Sequence, residues 1–404
     1  MTVSTPSAIC ILPTSGWEAA RAMGLAAALW RLPRQQDKHL IVNFGREITK
    51  TKIVIEDLPS GFAVSPFVNP DGAESLFIEA DLYVRLGENA ANAIEKYGVP
   101  ESHAVRRRWE QKVSELSKST SKSSSASDWQ FVENKNQQQY FENTVAAAVA
   151  AIEAGQMQKV VLSRTKKAQL PVHFNPVEAF EKLCVAYPNA FVSLVFLPHL
   201  GQIWLGATPE TLVSLDEAGI FKTVSLAGTQ SAYSADGQLL TARQAQWTHK
   251  EIEEQALVSR YIIECFKKIR VREYVEEGPK TVIAGNLMHL RTDYTVDTNE
   301  IRFSQLGSVM LELLHPTSAV CGMPKFPALQ FIQNHEDYPR ELYSGFMGPV
   351  NVGNETHLFV NLRCLKIENG MATLYAGGGI TEDSTPEKEW NETELKCQTL
   401  LSVV

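Results

Sequence analysis

Short apolar runs alternate along this chain with longer stretches in which apolar residues return every three or four positions. The runs at 39–43 (HLIVN), 52–56 (KIVIE), 159–164 (KVVLSR), 190–197 (AFVSLVFL) and 202–206 (QIWLG) are strand-like, and the last two read as a neighbouring pair. The Ala-rich segment 143–154 predicts a helix stopped by Gly155, and 241–269 predicts a longer one. A further apolar run ends in Gly377-Gly378-Gly379. Ser384-Thr385-Pro386-Glu387 then reads as a helix start, with a capping hydroxyl, an early proline and a Glu three residues after Ser384. Abundant helices and strands with hairpin-like neighbours predict an α+β (mixed α/β) fold.

Two helix faces carry unusual chemistry. Trp247, Glu251, Glu254, Val258, Tyr261 and Cys265 fall on one stripe, apolar except for its two glutamates. A buried carboxylate is costly unless it is paired or bound to a metal. The stripe can also be wet at its N-terminal end, where an acid suits the helix dipole. In the last helix, Glu389, Glu392 and Lys396 are spaced by three and four and share a face. Beside the glycines they make a candidate site for a metal ion and an anionic ligand.

The Ser-rich run 117–128 is the clearest break in composition and predicts an exposed loop or linker. It separates a motif-poor N-terminal part, 1–116, from a motif-rich region, 129–404. Within the first part, Pro70-Asp71-Gly72 signals a turn, and the apolar patch 23–30 is too short to span a membrane and predicts an internal helix or strand. With 38 basic and 46 acidic residues the net charge is −8, which argues against nucleic acid as a partner. An anionic substrate therefore needs local cations or a metal. Six cysteines without a C-x-x-C pair, and no signal peptide, predict reduced and mostly buried thiols in a cytoplasmic protein. The nine histidines lack zinc-site spacing.

Several further residues are candidates for chemistry. Lys159 opens a strand; a lysine there usually faces solvent, and a catalytic one needs burial or a cationic neighbour to act as a base. Glu210 follows a strand and turn in GATPE, where a helix-start acid is the alternative. Gly228 and Thr229 end the strand-then-turn segment LAGT, and His289 in LMHLRT is as readily a core histidine as a ligand contact. Arg340, Tyr343, Gly345 and Arg363 are candidates for an anion clamp, with structural salt bridges the equal alternative.

Their order along the chain is more telling than any one of them. KVVLSR, GATPE, LAGT, a helical Glu254, LMHL, HPTSAVCGMP at 315–324, RELYSG at 340–345, LRC at 362–364 and the GGG…EWNETELK tail follow one another. From about residue 134 onward this series resembles the chorismate-utilising enzymes: isochorismate, salicylate, anthranilate and aminodeoxychorismate synthases. The resemblance implies large β-sheets surrounded by helices, with the active site in a cleft between sheet and helices. Members that add water have lysine where Lys159 stands, as a water nucleophile needs a base. Isochorismate synthases resemble this chain in having alanine at Ala319, where salicylate and anthranilate synthases tend to have threonine. One departure is Gln255, where many relatives have His directly after the metal-binding glutamate; Glu251 and Glu253 are the alternatives to Glu254.

The resemblance implies Mg²⁺-dependent, reversible conversion of chorismate to isochorismate, an isomerase reaction. Lys159 would be the base and Glu210 the acid, Lys159 neutral and Glu210 protonated in the forward direction. Glu254, Glu389 and Glu392 would hold Mg²⁺ against the ring carboxylate. Gly228, Thr229, His289, Ala319 and the amides of Gly377, Gly378 and Gly379 would line the substrate. Tyr343 and Arg363 would hold the enolpyruvyl carboxylate, and Lys396 would complete the cationic lining. Salicylate synthase, which also eliminates pyruvate, and a non-catalytic chorismate-binding protein are the alternatives. No glutamine amidotransferase subunit, nucleic acid or membrane partner is expected. The chain is expected to be a monomer or homodimer, and its product to serve menaquinone or siderophore synthesis.

Overall fold

A computed structural model describes residues 11–404 except 46, 88–92, 96–98, 101, 119–128, 133, 235 and 285–286. Most of the Ser-rich run therefore lies outside the described residues, as does Cys10. Among the described residues, two antiparallel sheets of eleven and nine strands dominate the architecture. The first runs, in spatial order, through Gly322–Met323, Lys159–Gln169, Met371–Ile380, Cys364–Glu368, Gln202–Thr208, Phe191–Leu197, Ala27–Arg31, Lys38–Val42, Leu82–Leu86 and Ala93–Glu95, with Gln130–Phe131 paired onto Lys159–Gln169. The second runs through Val275–Ala284, Leu287–Asp297, Ile220–Ser231, Thr211–Leu215, Thr356–Val360, Phe346–Val350, Gly61–Ser65, Leu76–Glu79 and Thr49–Lys50. The N-terminal third thus supplies strands to both sheets.

The sheets pack face to face, and helices cover their outer faces. Successive side chains of a strand point to opposite faces. Ala28 and Trp30 therefore enter a core shared with Phe62 and Val64 of the second sheet, while Ala27 and Leu29 meet an outer core with Trp17, Trp109 and Phe180 from helices Pro13–Ala22, Ala104–Leu116 and Pro176–Ala186. Both faces are buried, which is why such strands read as unbroken apolar runs. Phe191 and Phe359 stack across the sheets with centroids 4.1 Å apart. Helices His249–Lys268 and Leu306–Leu314 cover the second sheet's other face.

The predicted strands at 39–43, 159–164, 190–197 and 202–206 are present, the last two paired in register Phe191↔Thr208 to Leu197↔Gln202. Patch 23–30 follows helix Pro13–Ala22 as a turn at 23–24 and then enters the strand Ala27–Arg31. The run at 52–56 is not a strand; it leads into a turn at 55–57, and Ile53 and Ile55 are buried by packing rather than pairing. The long helix begins at His249 rather than Thr241, because Thr248 and Glu251 form a capping box there. The helix at 143–154 starts earlier, as Gln137–Glu153, and Gly155 follows it at φ +74°. The last helix is Pro386–Leu401; Thr385 is its N-cap but makes no side-chain capping bond, and Ser384 Oγ accepts from Thr381 N–H (3.2 Å). Cys184, Cys265, Cys321, Cys364 and Cys397 are free thiols, four of them buried. No helix among the described residues is long and apolar enough to cross a membrane.

Candidate active site

One cavity gathers nearly every candidate residue. Glu210, Gly228, Thr229, Glu254, His289, Ala319, Tyr343, Arg363, Gly377, Gly378, Gly379, Glu392 and Lys396 line it. Strand Met371–Ile380 forms one wall, helices His249–Lys268 and Pro386–Leu401 present the carboxylates, and the ends of the second sheet's strands complete it. The space open to the centres of water molecules within it is about 70 Å³.

The three glycines lie inside the strand, paired Gly377↔Ser163, Gly378↔Leu162 and Gly379↔Val161. Val161 N–H donates instead to Cys321 O (2.9 Å), and Ser163 N–H to Glu336 Oε1 (2.8 Å). Gly378 is therefore the ladder-bonded residue, and the amides of Gly377 and Gly379 lie on the other strand edge. This corrects the expectation that all three amides are donors. What the glycines provide is space. A Cβ at Gly379 would sit 2.2 Å from Glu254 Oε1, and one at Gly378 would sit 3.0 Å from Glu389 Oε2 and 3.6 Å from Glu392 Oε1. Removing side chains from this wall lets three carboxylates approach the backbone.

Each of those carboxylates meets a lysine. Lys159 is fully buried, and its Nζ lies 2.9 Å from Glu254 Oε1. Burial would raise the Glu254 pKa, but Lys159 and more distant Lys250 and Lys396 bring it down to about 2. Lys396 Nζ donates to Glu392 Oε1 (2.6 Å) and to the Gly377 carbonyl (2.7 Å). Lys250, which sequence reasoning missed, pairs with Glu389. Its spacing of four from Glu254 on the same helix was the available signal. Glu389 is almost fully buried, its pKa is raised by burial, and its Oε2 has no hydrogen-bond partner among the described residues.

Gln255 settles which glutamate enters the cavity. Its Nε2 donates to Ser225 Oγ (2.7 Å) and Thr292 Oγ1 (3.1 Å), tying the helix to the second sheet. That orientation turns Glu254 inward, where Oε2 accepts from Gly228 N–H (3.2 Å). Glu251 caps the helix and Glu253 is exposed. The stripe thus divides: Glu251 is the wet helix-end acid, and Glu254 is the half-buried one that faces the cavity. Gly228 sits in a register shift between Ala227 and Gln230, at φ +68°, a conformation that favours glycine.

Glu210 is buried in the opposite wall. Desolvation pushes its pKa to about 7, with Lys159, Arg363 and the Thr317 hydroxyl opposing the rise. His289 donates from Nδ1 to the Gly228 carbonyl (2.7 Å), and burial holds its pKa near 3, so it is a neutral ring whose Nε2 faces Arg363 Nη2 at 3.5 Å. Tyr343 stacks on Tyr375 with centroids 5.2 Å apart. Arg340 does not join the clamp. It is buried against Glu336 (Nη2–Oε1 2.6 Å) and the carbonyls of Val320 and Val161, a structural salt bridge. Gly345 packs too closely on the Ser65 carbonyl for any side chain.

The model of the family described as "Chorismate binding enzyme" matches residues 89–404. The chain belongs to that family. Among chorismate binding enzymes it is similar to isochorismate synthase EntC of Escherichia coli K12, 31% identical over 271 residues, which cover 66% of this chain and 67% of that protein. It is 27% identical over 259 residues to anthranilate synthase component 1 of Bacillus subtilis, covering 63% and 48% of the two chains. The fold matches the solved structure of MenF, the menaquinone-specific isochorismate synthase from Escherichia coli, with a TM-score of 0.72 at 21% identity over 93% of this chain and 88% of that one. A putative 2,3-dihydroxybenzoate-specific isochorismate synthase, DhbC from Bacillus anthracis, matches with a TM-score of 0.70 at 19% identity over 96% and 98%. The mixed α/β architecture is thus that of the chorismate binding enzymes.

No group of three or more His, Cys, Asp or Glu side chains among the described residues is gathered closely enough to form a ready-made metal site. The donor set nevertheless suits a hard cation. Glu254, Glu389 and Glu392 are all oxygen ligands, they converge on the glycine wall, and Glu389 Oε2 lacks a partner.

Proposed function

We propose that the protein is an isochorismate synthase, converting chorismate to isochorismate by adding water at ring C2 with loss of the C4 hydroxyl. The observation that carries this reading is the pairing of a buried lysine, Lys159, with a buried carboxyl, Glu210, that remains half protonated near pH 7. Binding alone does not call for such an acid.

Lys159 takes a proton from the attacking water as its oxygen bonds to C2. The ring double bonds shift, and the C4 hydroxyl leaves as water with the proton of Glu210. One water enters and one departs, so the reaction is an isomerisation. Glu210 suits its role because burial keeps it protonated at neutral pH. Lys159 stands against Glu254 rather than against a cationic neighbour.

Glu254, Glu389 and Glu392 would hold Mg²⁺, which when bound would offset the charge of the ring carboxylate. Arg363 and Tyr343 orient the enolpyruvyl carboxylate, His289 fixes the Gly228 turn, and Lys396 adds positive charge beside Gly377. Ala319 presents a methyl group where a hydroxyl would add a donor, favouring release of isochorismate before pyruvate is eliminated. Incubation of the purified protein with chorismate and Mg²⁺, followed by chromatography, tests the reading. Isochorismate in a reversible mixture with chorismate is expected; stoichiometric pyruvate and salicylate would overturn it in favour of a salicylate synthase, and no turnover with chorismate still bound would leave a binding protein.

A further inference from the structure

A second cavity, of about 330 Å³, lies against the same segment that borders the active site. His315 and Pro316 line it, whereas Ala319 and Val320 line the active-site cavity. Its walls are mainly apolar: Ile53, Phe67, Leu311 and Phe346 are buried, and Leu329 is partly so. Phe326 of the lining is 69% exposed, an unusual setting for a phenylalanine. A concave apolar site of this size with a few polar groups is the usual form of a small-molecule pocket.

The polar group that distinguishes it is Lys325. Other lysines drawn into the protein pair with carboxylates: Lys159 with Glu254, Lys250 with Glu389, Lys366 with Glu341 and Lys396 with Glu392. Lys325 donates to the His315 carbonyl, and no carboxylate pairs with it among the described residues. Desolvation lowers its pKa, as expected of a cation half withdrawn from water without a counter-ion. The other charged lining residues are Asp71 and the Lys52–Glu312 ion pair (2.7 Å), whose two side chains are 47% and 66% exposed. His315 is partly buried and neutral, its pKa held near 4 by desolvation, with Nε2 3.1 Å from the Pro66 carbonyl. Among the described residues, the cavity therefore offers an apolar chamber and a cation, Lys325, that pairs with no carboxylate, while the lining Asp71 is exposed to solvent.

We propose that this cavity is a second ligand site, separate from the active site, for a small apolar or aromatic carboxylate, its ring among Phe67, Leu311, Leu329 and Phe346 and its carboxylate on Lys325. The proposal does not depend on which reaction the protein catalyses.

Titration calorimetry with 2-naphthoate tests it, using the neutral 2-naphthamide as control, on the wild-type protein and on Lys325→Met and Leu329→Trp. One-to-one binding of 2-naphthoate is expected, unaffected by saturating chorismate. It should weaken by about 10-fold or more for the amide and for Lys325→Met, the scale of one lost charge-assisted contact. Leu329→Trp, which fills the chamber, should abolish it. Absence of binding, equal affinity for acid and amide, binding that survives Leu329→Trp, or displacement by chorismate would each overturn the proposal. The acid–amide comparison on wild-type protein needs no variant, so it decides the matter even if a variant fails to fold.

Discussion

Gly379→Ala is the sharpest test of how the site is built. The added Cβ would lie 2.2 Å from Glu254 Oε1 and 2.9 Å from Lys159 Cε. To regain ordinary contact, the Glu254 carboxylate must retreat by about 1 Å or more. The atoms it meets are the ends of flexible side chains, and φ at Gly379 is not in the left-handed region, so the fold can absorb the change. Overpacking of this kind typically costs about 1–3 kcal/mol. The chemistry has less tolerance, because a misplacement of about 1 Å can cost about 10²-fold in rate. The expected result is a folded protein with turnover of chorismate reduced by about 10²-fold and a weakened response to Mg²⁺. Steady-state kinetics across a Mg²⁺ titration, together with a melting curve, would measure both. Turnover within a few-fold of wild type, with the same Mg²⁺ dependence, would refute the claim that the glycine wall exists to seat Glu254.

The remaining expectations concern the acid, the base, the metal and the product. Glu210 must be protonated to act and has a pKa of about 7, so kcat/KM should fall as pH rises through 7; Glu210→Gln should lose about 10²-fold or more and the alkaline limb with it. The same raised pKa makes its contribution to stability complete below the ordinary carboxyl value and lost as pH rises through about 7, which melting curves of wild type and Glu210→Gln across pH would reveal. Lys159→Ala should lower turnover by a similar factor while chorismate still binds by calorimetry; near wild-type turnover would remove Lys159 as the base. EDTA should abolish turnover and Mg²⁺ restore it, and Glu254→Ala should raise the Mg²⁺ concentration needed; full activity in chelator would contradict the proposed ligand set. Ala319→Thr should slow the enzyme or release pyruvate, detected by a coupled lactate dehydrogenase assay, and an unchanged product and rate would show that position 319 does not govern the outcome.

Much of the site was legible because its residues are fixed by local patterns. Glu389, Glu392 and Lys396 share a face by helical spacing, and their convergence on the glycines follows from a strand that leads directly into that helix. Lys159 opens a strand, as its β-branched neighbours indicated. What stayed hidden depends on contacts distant in sequence. The counter-ion of Lys159 comes from a helix 95 residues later, so spacing within its own strand could not indicate a carboxylate neighbour. The glycines were read as a strand end because strand interiors rarely carry three; only the approach of Glu254 and Glu389 from two helices explains them. Residues 52–56 have strand composition but no partner in register, and pairing rather than propensity decided against them. The partner of Arg340, Glu336, is only four residues away, but both follow the helix Lys325–His335 in a non-helical segment, so helical spacing could not announce the pair.

In the proposed reaction, water adds to the ring while the original hydroxyl leaves. Running the reaction with Mg²⁺ in water enriched in ¹⁸O, and locating the label by mass spectrometry and NMR at early conversion, tests that step directly. One solvent oxygen at C2 of isochorismate is expected, with no pyruvate released. An unlabelled C2 hydroxyl, which would mean transfer of the original hydroxyl within the ring, would contradict it.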